Sequence, residues 1–269
     1  MPEGHTIHRL AKDHTPLLVG RPVSLASPQG RFATGAELLT GRVVEGIEAC
    51  GKHLFYGFEG DALLHVHLGL YGKFTTGHGP PPEPRGALRL RMTTVTEDGG
   101  VWLDLRGPTA CEVMTPPERD AVLDRLGPDP LRRDAEPDRA FARIAKSRRL
   151  VGELLMDQAV LCGIGNVYRA EVLFRAGMSP FREGRAVSRE EWEPMWEDLR
   201  TLLRAGVRQG RIVTTERADR DRRSGTPARA DAHYVYRRQG LPCRRCGTEV
   251  RTQVMQQRNL FWCPVCQAR

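Results

Sequence analysis

Leu64-His65-Val66-His67-Leu68 alternates apolar and polar side chains without a break. A period of two places all its apolar residues on one face of a half-buried strand. Leu88-Arg89-Leu90-Arg91-Met92 and Val101-Trp102-Leu103-Asp104-Leu105 repeat the pattern, with Gly and Pro breaking the chain between them. Short strands of this kind predict an antiparallel sandwich or barrel up to about residue 115. Ahead of them, Ile7, Leu10, Ala11, Leu17 and Leu18 make an apolar stripe that predicts a helix from about Gly4 to Val19. Residues 77–84 are loop by composition.

The pattern changes beyond Thr115. Residues 115–137 are rich in Pro and charge, which suits a linker. Leu150, Val151, Leu154 and Leu155 then cover one face of a helix expected to end near Asp157. Asn166 follows the turn Cys162-Gly163-Ile164-Gly165 and is expected to be the N-cap of a second helix. Ser188-x-x-Glu191 is a capping box ahead of Trp192, Met195, Trp196, Leu199, Leu202 and Leu203, whose spacing reads as a core-facing stripe. Residues 214–231 are charged and poorly patterned, a loop that could order on binding.

Four of the seven cysteines fall at Cys243-x-x-Cys246 and Cys263-x-x-Cys266. Each pair presents two sulfurs from one tight turn, and two such turns close a tetrahedron around one structural Zn2+. A redox dithiol needs no matching partner, so the spacing favours the metal. Cys50, Cys111 and Cys162 are isolated and read as small buried hydrophobes. The expected architecture is therefore α+β and multidomain. It comprises an N-terminal β-sandwich with a helix (1–118), a linker (119–136), a helical domain (137–231) and a C-terminal zinc hairpin (232–269).

Of 269 residues, 40% are hydrophobic and 28% charged, which excludes wholesale disorder. No run approaches eighteen apolar residues, so no membrane span is expected. The opening residues lack a basic segment followed by an apolar one, and a cytoplasmic, monomeric protein is expected. Lys and Arg number 41 against 33 acids, a net +8, and only Lys12, Lys52, Lys73 and Lys146 are lysines. Between Arg204 and Arg258 fourteen arginines face five acids, so this segment alone carries +9. A basic segment on a near-neutral body predicts a polyanionic partner.

Pro2 follows the initiator methionine, whose removal would leave a secondary amine at the chain terminus. An α-amino group titrates at about 7.7–8, so a useful fraction is nucleophilic at neutral pH. Attack on a sugar C1′ would open the ring to a cationic iminium, an electron sink for elimination. Glu3 stands next to it as a proton shuttle. Lys52, in Gly51-Lys52-His53-Leu54, is a compact charge suited to a phosphate or sugar oxygen.

Taken in order, five blocks resemble one family. They are Pro2-Glu3-Gly4, Gly51-Lys52-His53-Leu54, His67-Leu68-Gly69-Leu70, the run from Met156-Asp157-Gln158 to Gly163-Ile164-Gly165-Asn166-Val167-Tyr168, and Arg258 with Cys263-Pro264-Val265-Cys266-Gln267. The family is the formamidopyrimidine-DNA glycosylase/endonuclease VIII group of base-excision repair enzymes. The look is nearest the actinobacterial endonuclease VIII branch, through Pro2-Glu3-Gly4-His5 and Leu105-Arg106-Gly107-Pro108-Thr109.

The resemblance implies a bifunctional glycosylase and abasic-site lyase acting on damaged DNA, double- or single-stranded. Pro2 would be the Schiff-base nucleophile, Glu3 the general acid and Lys52 a phosphate-binding third group. Asn166, in a helix–two-turn–helix motif, would hold backbone phosphates. Arg258, at the zinc hairpin, would grip phosphates beside the flipped nucleotide and support the second elimination. Leu70 and Tyr71 would fill the gap that the nucleotide leaves, or else belong to the core. Arg106 would contact DNA.

Two positions depart from the family pattern. Thr6 stands where the family commonly has Glu, and Pro108 where the formamidopyrimidine branch has a Phe wedge. The second departure favours oxidised pyrimidines over oxidised purines. A non-catalytic damaged-DNA-binding protein would account for the helical motif and finger, and a zinc-ribbon protein of transcription or translation for the finger alone. Neither accounts for Pro2, Glu3 and Lys52 together.

Overall fold

The computed structural model describes residues 2–96 and 99–268. By its backbone contacts the chain divides into two units, residues 1–125 and 126–269. The first unit opens with α1 (Gly4–Leu18), β1 (Ser24–Ala26) and α2 (Ala33–Leu39). Strands β2 (Val44–Cys50), β3 (His53–Phe58), β4 (Ala62–His67) and β5 (Lys73–His78) follow. After them come β6 (Leu88–Thr96), β7 (Gly99–Arg106), β8 (Ala110–Met114) and α3 (Pro116–Asp124).

These strands form two antiparallel sheets, ordered β1-β6-β7-β5 and β2-β3-β4-β8. The three alternating stretches lie in β4, β6 and β7 as their period requires. Leu90, Met92, Leu103 and Leu105 of one sheet share a core with Leu54, Tyr56, Leu64 and Val66 of the other. Ile7, Ala11 and Leu18 of α1 complete it. Burying each large apolar side chain contributes about 1.5–3 kcal/mol, which makes this face-to-face packing the main stabilising term of the unit.

A buried ion pair interrupts the apolar pattern of the strands. Asp104 on β7 is fully buried. It accepts from Arg91 Nε and Nη2 at 2.7 and 2.9 Å and from Arg106 Nη2 at 2.9 Å. A carboxylate in a core is tolerable only when paired in this way.

The stretch expected as a linker is structured over part of its length. Thr115 N–H donates to the Glu118 carboxylate at 2.8 Å, closing the first turn of α3. Residues 126–130 are buried in the second unit, where Gly127 N–H donates to the Gln158 carbonyl at 2.8 Å. A Cβ at Gly127 would collide with the Val160 carbonyl, so the close approach requires glycine. Proline and charge mark breaks in regular structure, and such breaks can still pack.

The second unit holds α4 (Pro137–Ala145), α5 (Val151–Leu154), α6 (Asn166–Arg175), α7 (Arg189–Gln209), β9 (Arg251–Met255) and β10 (Arg258–Trp262). Glu191 N–H donates to Ser188 Oγ at 3.3 Å while Ser188 N–H donates to the Glu191 carboxylate at 3.0 Å, the capping box expected for α7. Its Trp192, Met195, Trp196, Leu199, Leu202 and Leu203 are core, packed with Ile144, Leu154, Tyr168 and Val172. Helix α5 is shorter than expected and ends at Leu154. Just beyond it, Asp157 accepts from Ala159 N–H at 3.0 Å and the Gln158 amide donates to the Ile164 carbonyl at 2.9 Å, so the chain turns away. Among the described residues no helix is long and apolar enough to cross a membrane.

Candidate functional site

Pro2 lies half-buried on the chain immediately ahead of α1. Glu3 occupies the N-cap position with an extended backbone, φ −124° and ψ 179°, and its side chain is buried. Its carbonyl accepts from Thr6 N–H at 2.8 Å, which starts the helix. Lys52 is half-buried in the two-residue turn between β2 and β3, where Gly51 takes φ 57° and Cys50 pairs with His53. A left-handed residue at this point lets the turn follow the twist of its strands.

Beside Lys52 lies a group of side chains that sequence reasoning passed over. His53 Nδ1 and His65 Nε2 are 2.9 Å apart, and His65 Nδ1 and Glu112 Oε1 are also 2.9 Å apart. Burial, then the neighbouring His65, His67, Arg125 and Lys52, push the His53 imidazole down to about 3. Burial, then His65 and Lys52, push His67 down as well. The strand register makes this cluster, setting His53 opposite His67 and His65 opposite Glu112.

Leu70 and Tyr71 are 39% and 86% exposed on the turn between β4 and β5, which removes the core reading of both. Arg106 is tied into its own sheet. It donates to buried Asp104 and, from Nη1, to Thr75 Oγ1 at 3.0 Å.

In the second unit the Sγ atoms of Cys243, Cys246, Cys263 and Cys266 all lie within 4.8 Å of one another. Two of the separations are 3.9 Å (Cys243 to Cys266) and 3.4 Å (Cys246 to Cys263). A Zn–S length of about 2.3 Å gives a tetrahedron with edges of about 3.8 Å, so the quartet fits that ion. Burial, then the neighbouring sulfurs, push the Cys266 thiol up. Zinc here would cross-link two turns and supply no chemistry. Arg258, exposed, opens β10 directly after the turn residues Gln256 and Gln257, whose φ values are 48° and 57°.

Asn166 differs from expectation. Gly165 is the N-cap of α6, no side chain caps that helix, and Asn166 is its buried first residue. The Asn166 amide instead donates to the Asn259 carbonyl at 2.8 Å, and its Oδ1 accepts from Arg169. Its neighbour in the same helix, Glu171, is also fully buried. Glu171 accepts from the backbone N–H groups of Tyr234, Val235 and Tyr236 at 2.8, 2.9 and 2.8 Å. The segment that leads into the finger is thereby held by one carboxylate. A lone Glu between apolar residues of a predicted helix was the one available signal.

Part of the arginine excess is also structural. The side chain of Arg244 is buried against Asp231 at 2.9 Å, and the Arg245 guanidinium lies 4.9 Å from the Tyr234 ring centre. Thr214, Thr215 and Asp231 are buried, so the charged loop is packed at both ends.

Three family descriptions match in chain order. Residues 1–111 match the formamidopyrimidine-DNA glycosylase N-terminal domain, residues 126–218 its H2TH domain, and residues 240–269 the zinc finger found in FPG and IleRS. The chain belongs to the formamidopyrimidine-DNA glycosylase family. It is 51% identical to endonuclease 8 1 of Mycobacterium tuberculosis, over 99% of this chain and 100% of that one. It is 34% identical to the formamidopyrimidine-DNA glycosylase of Thermus thermophilus, over 99% and 98% of the two chains. Among solved structures, the Fpg protein of Thermus thermophilus is similar with a TM-score of 0.76 and 29% identity, over 100% of this chain and 99% of that one. The Lactococcus lactis Fpg bound to DNA containing an abasic site is similar in fold, with a TM-score of 0.80 at 22% identity over 99% and 100%. This DNA glycosylase of base excision repair thus carries the sandwich, the helical motif and the four-cysteine finger of its family.

Proposed function

We propose that the chain removes oxidised bases, pyrimidines foremost, from DNA and then cuts the strand by β,δ-elimination. The observation that carries this reading is the pairing of Pro2, at the mouth of α1, with a fully buried Glu3 carboxylate. After removal of the initiator methionine, the Pro2 amine attacks C1′ and the base departs with the glycosidic electron pair. Glu3 delivers a proton to the deoxyribose ring oxygen. The resulting iminium withdraws electrons, so loss of a C2′ proton expels the 3′ phosphate and a second elimination expels the 5′ phosphate. Lys52 holds a phosphate near the lesion as a point charge. Arg258 supports the second elimination from the hairpin, where a guanidinium fork suits a phosphate.

Extracting the nucleotide costs a few kcal/mol, and exposed Leu70 and Tyr71 fill the gap in the stack. Asn166 contributes to the phosphate-binding surface chiefly by holding the Arg258 hairpin, and Arg106 by the part of its side chain left at the surface. The likeness to endonuclease 8 1 supports the pyrimidine branch. The working division is a catalytic domain (1–118), a connecting segment (119–136), a helical domain (137–231) and the finger (232–269), acting as a cytoplasmic monomer.

Borohydride trapping on oligonucleotides carrying an abasic site, thymine glycol or 8-oxoguanine tests the proposal. A covalent adduct is expected on the first two and lost when an uncleaved N-terminal tag blocks Pro2. An adduct chiefly on 8-oxoguanine would move the substrate to the purine branch. Binding without any adduct would leave a damage-recognition protein.

A further inference from the structure

His65 sits at the centre of a chain of hydrogen bonds that ends beside Lys52. Its ring is buried, stacked at 4.9 Å on Phe55 and at 5.1 Å on His53, so neither imidazole is free to turn. A carboxylate only accepts, so His65 Nδ1 carries the proton given to Glu112. With that single proton on its ring, His65 accepts at Nε2 and His53 Nδ1 is its donor at 2.9 Å. His53 Nε2 is then the bare nitrogen at the end of the chain. His65 uses both nitrogens in this way, which leaves it none for a metal.

We propose that Glu112, His65 and His53 form a one-way hydrogen-bond relay that fixes the accepting tautomer of His53, and that this ring positions Lys52 for its anionic ligand. His53 is the residue after Lys52 at the exit of the turn, where it pairs with Cys50. Lys52 lies near enough for its charge to bear on both His53 and His67. The groups facing His53 are His65 and His67 from β4, Lys52 from the turn and Arg125 after α3, with Glu112 of β8 behind His65. All but Glu112 are cationic or can become so. A neutral His53 is therefore the state compatible with these charges. Glu112 and His65 are positioning residues in this scheme, touching no substrate.

The inference rests on the proposed role of Lys52 and is tested with a double-mutant cycle. Glu112→Gln is the informative change, because Glu112 is 52% exposed and the amide can reverse the relay by donating to His65. Single-turnover incision of a duplex bearing an abasic site is measured for the wild type, Glu112→Gln, Lys52→Ala and the double variant. Glu112→Gln is expected to lose about tenfold, with no further loss in the Lys52→Ala background. Nitrogen NMR of the imidazoles is expected to show His53 protonated at Nδ1 in the wild type and at Nε2 in Glu112→Gln. Wild-type incision by Glu112→Gln, while Lys52→Ala is impaired, overturns the relay alone. Equal losses in both backgrounds reduce Glu112 to a structural role and overturn it too. Wild-type incision by Lys52→Ala overturns the reading of Lys52, and the proposal with it.

Discussion

The side-chain amide of Asn166 donates to the main-chain carbonyl of Asn259 at 2.8 Å. The first residue of α6 is thereby locked to the residue after Arg258, at the start of β10. This bond ties the helix terminus to the arginine hairpin, although 93 residues separate them in the chain. Asn166→Ala removes this bond and the Arg169 contact together. It is expected to weaken binding to abasic-site DNA about tenfold, the effect of one lost buried hydrogen bond, while one zinc per chain is retained. Fluorescence anisotropy and metal analysis check the two halves of this prediction, and unchanged affinity would contradict it.

Glu171 gives a second hold on the same region. In Glu171→Gln the amide presents one acceptor oxygen where the carboxylate had two, so at least one backbone N–H of Tyr234, Val235 or Tyr236 loses its partner. A cost of about 1–3 kcal/mol is expected in denaturant unfolding. Hydrogen exchange should quicken at those amides in particular, whereas uniform quickening would point to a global effect.

Arg258 is exposed at the hairpin and bears no part of the core. Arg258→Ala is expected to slow strand incision about tenfold or more while slowing base release less, since the guanidinium acts on phosphates. Parallel assays of released base and cleaved strand on a thymine-glycol duplex measure the ratio. Equal losses would remove the assigned division of labour.

Tyr71, at 86% exposure, contributes little to folding. Tyr71→Ala should leave stability within about 0.5 kcal/mol. Activity should fall on duplex DNA and hold on single strands, because only a duplex leaves a stacked gap to fill. A loss of the same size on both substrates would exclude the wedge role.

Acid should destabilise the first unit through two buried imidazoles. Burial pushes His5 and His14 from 6.5 to about 4. The unfolded chain takes up each proton near 6.5 and the folded chain does so only near 4, so stability is full above 6.5 and falls towards 4. Each group accounts for roughly 3 kcal/mol across that window. His14→Gln can retain a hydrogen bond to the Tyr56 hydroxyl, a contact of 2.8 Å in the wild type, without titrating. Urea midpoints at about pH 7, 5.5 and 4.5 should therefore decline less in this variant. An identical decline would exclude His14 as a contributor.

Much of the architecture was legible in local pattern. The alternation at residues 64–68, 88–92 and 101–105 dictates strands, the Ser188 and Glu191 pair starts α7, and the cysteine spacing closes a tetrahedron. Each of these depends on residues a few places apart. Composition was a weaker guide, since the Pro-rich stretch after Thr115 holds a capped helix and a buried arm.

The metal quartet could be read without coordinates, because it rests on residue type and short-range spacing, whereas the roles proposed for Pro2, Glu3, Lys52 and Arg258 draw on the family resemblance of the blocks that hold them. Tertiary structure alone decided that Asn166 braces a hairpin, that Glu171 holds the approach to the finger and that Leu70 and Tyr71 face solvent. It also decided that Arg106 is shared with a buried carboxylate, and that Glu112, His65 and His53 meet beside Lys52. The physical reason is common to all of them. Their partners lie on different strands or helices, and no local period records which side chain a distant backbone will bring within about 3 Å.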